Sequence, residues 1–293
     1  MKRLGLWACL WASTLAPIYG QLTVELTQNQ DQFLPGEPIR LAVRITNLSG
    51  QALQLGTDPD WLTFTIESQQ GAAVPQLAAV PVVGGFSLES SEIGTKRVDL
   101  APYFALANPG TYKVTATVKV KEWTRDVSSQ PRTFDIITGV KLWEQAFGVP
   151  RAANDPPGEP ETRRYILQQA NYIRGQIRLY LRVTDASGNR PIKVVTVGSM
   201  LSLSRPEHLV DSASNLNILY QNGPHSFNYS VFTPDGELKV RQTYDYLTTR
   251  PRLQVIEQGK IVVAGGERRI ANSDLPPPQP LLAPESPKPL NPP

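Results

Sequence analysis

The chain has 293 residues, with 29 basic and 26 acidic side chains, a net charge of +3 and 40% hydrophobic residues. A chain of that composition can bury a core, which excludes the disordered class for its body. The near-balance of charge supplies no basic face or stripe, so nucleic acid is not an expected partner.

In chain order, Met1, Lys2 and Arg3 precede an uncharged apolar run from Leu4 to Ala16. A run of about 13 residues is too short for a hydrocarbon core that needs about 20, and it reads as the centre of a secretory signal. Pro17 ends the run and Gly20 offers a small residue before a cut, so residues 1–20 are expected to leave, with Gln21 as the new N-terminus. Cys9, the one cysteine, follows Arg3 closely and has the bulky Trp7 before it, a poor context for lipid attachment. The exported chain would then lack disulfides and thiolate metal sites. A secreted or periplasmic protein of a bacterial envelope is predicted, with no transmembrane segment in the mature chain.

Residues 21–138 alternate apolar and polar positions between turn signals, as half-buried antiparallel strands do. The predicted faces are Leu22, Val24 and Leu26; Ile39, Leu41, Val43 and Ile45; Leu62, Phe64 and Ile66; Tyr112, Val114, Ala116 and Val118; and Phe134 with Ile136. No amphipathic helix separates them, which argues for a β-sandwich. The stretch Asn108-Pro109-Gly110-Thr111-Tyr112 resembles the entry to a late strand of immunoglobulin-like domains. The resemblance implies a bacterial, cysteine-free Ig-like module in which the Tyr112 hydroxyl ties back to the backbone. Trp61, after Asp58-Pro59-Asp60, is expected in the core rather than as a sugar platform beside a calcium site.

Residues 139–163 read as a linker. Leu142, Trp143 and Phe147 suit one or two helical turns, and Pro156, Pro157 and Pro160 predict extended chain.

Residues 164–272 contain an internal repeat of about 45 residues. Ile192–Val195 leading to Arg205-Pro206 matches Leu238–Arg241 leading to Arg250-Pro251. Upstream, Tyr180–Val183 matches Tyr229–Phe232; downstream, Leu209-Val210 and Leu216–Tyr220 match Leu253–Ile256 and Ile261–Ala264. Each unit reads as four short strands and resembles a β-propeller blade. Two blades cannot close a ring, so the two four-stranded sheets are expected to face each other as a sandwich or open barrel, or several chains to complete a ring. The predicted class is all-β: an Ig-like sandwich followed by this duplicated antiparallel module. Residues 273–293 are a proline-rich tail, expected to be disordered.

The candidate binding residues lie around the repeated loop. Arg205 and Arg250 each precede a proline, which favours extended backbone and could present a guanidinium to an acidic ligand; each could equally pair with a carboxylate of its own unit. Glu207 and Asp211 are the only nearby carboxylates worth naming as a glycosidase pair, and such a pair must stand about 5–10 Å apart. His208 is a possible acid or base, whereas His225 occupies a non-equivalent position. Two histidines without companions do not make a zinc site, and no nucleophile elbow or phosphate-binding loop occurs. No catalytic residue, metal or cofactor is assigned. The Asn-x-Ser triplets at Asn47 and Asn228 are short enough to be chance.

The expected function is a non-enzymatic exported protein whose β-modules bind an envelope protein or glycan. Two other readings stay open: a glycan-active hydrolase with its site in the second module, and an inhibitor or chaperone-like module acting by strand addition.

Overall fold

The computed structural model describes residues 22–121, 123–150 and 161–276. The predicted leader with Cys9, Pro156, Pro157 and Pro160 of the predicted linker, and nearly all of the predicted tail lie outside these residues. Among the described residues the chain is all-β, with helix limited to three single 3-10 turns at Ala101–Tyr103, Ile173–Gly175 and Glu257–Gly259.

The first ten strands are β1 (Leu22–Gln28), β2 (Gln32–Phe33), β3 (Arg40–Asn47), β4 (Leu53–Leu55), β5 (Leu62–Ser68), β6 (Phe86–Leu88), β7 (Ile93–Asp99), β8 (Gly110–Val118), β9 (Val127–Ser128) and β10 (Arg132–Ile136). They form one sheet in the order β1-β3-β7 and another in the order β2-β10-β8-β5, with β9 on β8 and a small β4-β6 ribbon. Alternation decides which side chains go inward. In β3, Leu41, Val43 and Ile45 are buried, and they share one core with Phe64, Ile66, Val114, Ala116 and Phe134 of the second sheet. Trp61 belongs to that core and donates its indole N–H to the Val82 carbonyl at 3.1 Å. The Tyr112 hydroxyl donates to the Asn108 carbonyl at 2.8 Å, closing the corner that the sequence predicts.

The remaining strands are β11 (Val140–Gly148), β12 (Thr162–Tyr172), β13 (Gln176–Asp185), β14 (Pro191–Met200), β15 (Glu207–Val210), β16 (Leu216–Gln221), β17 (Ser226–Phe232), β18 (Leu238–Asp245), β19 (Arg252–Val255), β20 (Ile261–Ala264) and β21 (Glu267–Arg269). They make a β11-β12-β13-β14 sheet, a β15-β16-β17-β18-β21 sheet and a β19-β20 hairpin. The four larger sheets are blade-like in size, and in their propeller-like succession each is joined to the next by shared side chains. Leu34 beside β2 and Ile137 beside β10 pack on Ala170, Tyr180 and Val194. Leu167 and Leu181 of the third sheet meet Leu216, Ile218 and Tyr220 of the fourth.

Two expectations need correction. Lys141–Phe147 forms no helical turn; it lies in β11, an edge strand paired with β12. A four-residue spacing puts Trp143 and Phe147 on one face in a helix, but in a strand it does so too, since four is also a multiple of two. Both join the core between the third and fourth sheets. The second correction concerns the repeat. Its two copies do appear as four strands each, β13 to β16 and β17 to β20, but neither copy is a sheet of its own. The first half of copy one pairs with β12, and its second half pairs with the first half of copy two through the tight β16–β17 turn. The strand pair β19-β20 is left to cover the outer face of the fourth sheet, with Leu253 and Val263 against Leu219, Tyr229 and Val231. Short turns make the nearest partner in sequence the cheapest partner in chain entropy, whichever copy it belongs to.

The two halves of the chain also share a buried carboxylate. Glu37, 4% exposed, accepts hydrogen bonds from the Leu34 amide, the Gln30 side chain and the Thr196 hydroxyl of β14, each at 2.9 Å.

Candidate functional site

The repeated loops meet at one end of the fourth sheet. Residues 201–206 lead from β14 into β15, residues 222–225 turn β16 into β17, and residues 246–251 leave β18 for β19. Backbone bonds hold this end in place. The Leu201 amide donates to the Gln221 carbonyl at 3.0 Å, and the Tyr246 amide to the His225 carbonyl at 2.7 Å.

Arg205 and Arg250 are both exposed and line the same open hollow of about 530 Å³, with Leu201, Leu203, Ser204 and Gln221. Neither guanidinium pairs with a carboxylate among the described residues, so the pairing within each unit that the sequence allowed does not occur. Arg250 lies over the Phe227 ring, 5.3 Å from its centroid, which steadies the side chain while leaving its N–H groups for a ligand. Pro251 behind it is buried, a fixed point for the loop.

Glu207 has a positioning part. Half-buried, it accepts the Leu253 amide at 2.8 Å and so fastens the start of β19, and with it the Arg250 loop, to β15. His208 faces elsewhere. Its ring rests on Trp143 with centroids 4.1 Å apart, and burial pushes its pKa below the usual imidazole value of 6.5. With Lys141, Leu142, Arg205 and Pro206 these two rings border a second hollow of about 400 Å³, so Arg205 stands between two concave surfaces.

Asp211 is not part of this group. It sits beyond the other end of β15 and shapes the β15–β16 turn, accepting the Ala213 amide at 3.0 Å and the Asn215 amide at 2.8 Å. Four residues of extended chain separate it from Glu207, about 13 Å between α-carbons. With one carboxylate holding a strand and the other a turn, the structure does not bring together the acid pair a glycosidase requires. Both triplet asparagines are also engaged inside the fold: Asn47 donates to the Gln51 and Leu88 carbonyls at 2.7 and 2.8 Å, and Asn228 donates to the Tyr220 hydroxyl at 3.3 Å.

Among the described residues no group of three or more His, Cys, Asp or Glu side chains could hold a metal ion, and no helix is long and apolar enough to cross a membrane. Sequence reasoning missed Trp143 as the shelf beneath His208, and it missed the exposed Leu203, Tyr246 and Leu247 on the arginine loops. A signal was present in the alternation Leu201-Ser202-Leu203-Ser204, which resembles a strand but falls where a strand would have run past its partner.

No family model matches the chain, and no curated protein matches it. Among solved structures, the crystal structure of Spo0M, a sporulation control protein from Bacillus subtilis, is similar over 61% of this chain and 90% of that one, with 10% identity and a TM-score of 0.31. A likeness of that degree carries no functional argument.

Proposed function

We propose that the protein is an exported, non-enzymatic binding protein of the cell envelope, and that it holds an anionic group of a protein or glycan between Arg205 and Arg250. One observation carries this reading: two equivalent loops deliver two exposed guanidiniums to the same hollow, and neither is neutralised by a carboxylate among the described residues. A guanidinium presents several N–H donors in a fixed plane and favours carboxylate or phosphate. The leader over residues 1–20 supports export, and N-terminal sequencing of the mature protein should begin at Gln21. The β1-β3-β7 and β2-β10-β8-β5 sheets around one core, with the Tyr112 corner, support an Ig-like sandwich as the first module.

The test is an array of acidic and neutral glycans, together with pull-down from envelope extract, using wild type and the double variant Arg205→Gln/Arg250→Gln. Binding that favours acidic ligands and weakens tenfold or more in the variant is expected. Equal binding by wild type and variant would overturn the reading.

A further inference from the structure

The arginine loops carry an unusual load of exposed apolar side chains. Leu203 is 99% exposed, Leu247 63% and Tyr246 39%, and all three belong to the two loops that hold Arg205 and Arg250. A single exposed leucine is ordinary; three apolar side chains on two neighbouring loops, each loop also carrying an arginine that pairs with no carboxylate among the described residues, form a surface with a purpose. The geometry also makes them a common end rather than scattered points, because Leu201 is bonded to Gln221 and Tyr246 to His225 across the sheet end.

We propose that this end of the second module docks on an anionic lipid bilayer, with Leu203, Tyr246 and Leu247 entering the headgroup and acyl boundary and Arg205 and Arg250 contacting lipid phosphates. The inference rests on the reading above that Arg205 and Arg250 hold an anionic group, and takes lipid phosphate, in place of a protein or glycan, as the source of that group. Charge decides between occupants. An apolar protein partner would leave two guanidiniums desolvated against nothing, whereas an anionic membrane offers hydrocarbon for the leucines and phosphate for the arginines within one interface. Of the acidic side chains near this end, Glu207 is engaged with the Leu253 amide and Asp245 is paired with Arg269 at 2.9 Å, which leaves Glu267, exposed opposite Asp245 on the edge strand β21, as the one carboxylate there set against the two arginines. Tyrosine suits the boundary because its ring is apolar and its hydroxyl wet.

The experiment is sedimentation of the full chain with phosphatidylcholine vesicles, with and without about one-third phosphatidylglycerol. Any contribution of the N-terminal apolar run is common to wild type and variants. Wild type should bind the anionic vesicles at least tenfold more tightly than the neutral ones, and the binding should weaken with added salt. Leu203→Ser/Leu247→Ser should lose tenfold or more at unchanged melting temperature, since both side chains are exposed. Arg205→Gln/Arg250→Gln should lose the preference for anionic lipid and flatten the salt dependence. Vesicle binding that is the same in the leucine pair and wild type would overturn the proposal. Arginine-dependent binding to acidic glycans without vesicle binding would overturn the membrane proposal alone. Loss of arginine dependence in every assay would overturn the binding reading as well.

Discussion

Replacement of Glu37 by alanine tests the joint between the two halves of the chain. The carboxylate is 4% exposed and its three donors, the Leu34 amide, the Gln30 amide group and the Thr196 hydroxyl, all stand at 2.9 Å. Hydrogen bonds to a charged acceptor contribute about 1.5–3 kcal/mol each, so a simple sum over three would exceed 4 kcal/mol. The sum overstates the loss, because the substitution also removes the cost of keeping a charge out of water with only neutral donors around it. What survives is the orphaned Leu34 amide, buried with no other acceptor at hand, and the lost contacts to two side chains. A net loss of about 3 kcal/mol is expected, which for a fold of this size lowers the melting temperature by about 6–12 °C. Glu37→Gln keeps one acceptor oxygen but turns a donor toward a donor, and should fall about midway. Thr196→Val, combined with Glu37→Ala in a double-mutant cycle, should show a coupling above about 0.5 kcal/mol. The measurements are thermal unfolding for the melting temperature and urea unfolding for the free energies of the cycle, both followed by tryptophan fluorescence. A Glu37→Ala protein that melts within 2 °C of wild type, to the precision expected of such scans, would refute the reasoning.

Gly198→Ala should destabilise by about 1–3 kcal/mol, because a methyl there would collide with the Tyr220 hydroxyl, which is itself held by the Val197 carbonyl at 3.1 Å; differential scanning calorimetry reads it. Tyr112→Phe should cost about 1 kcal/mol in urea unfolding by deleting the bond to Asn108 while keeping the ring stacked on Phe134. Burial lowers the His208 pKa below 6.5, so the unfolded chain binds this proton first as the solution is acidified. Its contribution is therefore complete above pH 6.5 and is lost as pH falls through the lowered folded value. His208→Phe, which keeps a ring on Trp143, should lose less stability than wild type between pH 7.5 and 5 in parallel unfolding curves; identical pH profiles would contradict the assignment.

Strands with one buried face were legible. Ile39 to Ile45, Leu62 to Ile66 and Tyr112 to Val118 alternate because one side meets the shared core and the other meets water, and their sequence carries that two-residue beat. Strand β7 was not legible because its inward positions are Gly94, Lys96 and Val98 while Ile93 faces out, so the alternation of exposure along Ile93–Asp99 carries no apolar beat. Strand β16 shows the opposite extreme, with five successive buried residues because the third sheet covers one face and the β19-β20 hairpin the other. The repeat revealed the strands of the second module but not their partners, since similarity between copies records descent of a segment and says nothing about which edge each hairpin meets. For the candidate site, the two arginines could be named from their place before a proline in equivalent loops. Their meeting in one hollow could not, because it depends on which strands share a sheet and on the bond from Glu207 to the Leu253 amide across chain segments far apart in sequence.

That both loops emerge at one end of the sheet follows from parity. One copy of the repeat is four strands long, and the loop of copy one enters the fourth sheet at β15 while the loop of copy two leaves it after β18. Each antiparallel neighbour reverses direction, so an even number of strands returns the chain to the end from which it started. Both arginine loops must therefore emerge at the same end of the sheet, however the copies diverge in sequence. A repeat with an odd number of strands would have sent Arg205 and Arg250 to opposite ends, about one strand length apart, and no single ligand group could have met both. Folding β19 back over Leu219 and Tyr229 then carries the second loop across the face toward the first, and Glu207 completes the approach. The paired cationic loops are thus a consequence of the four antiparallel strands, two from each copy, that lie between them in the fourth sheet.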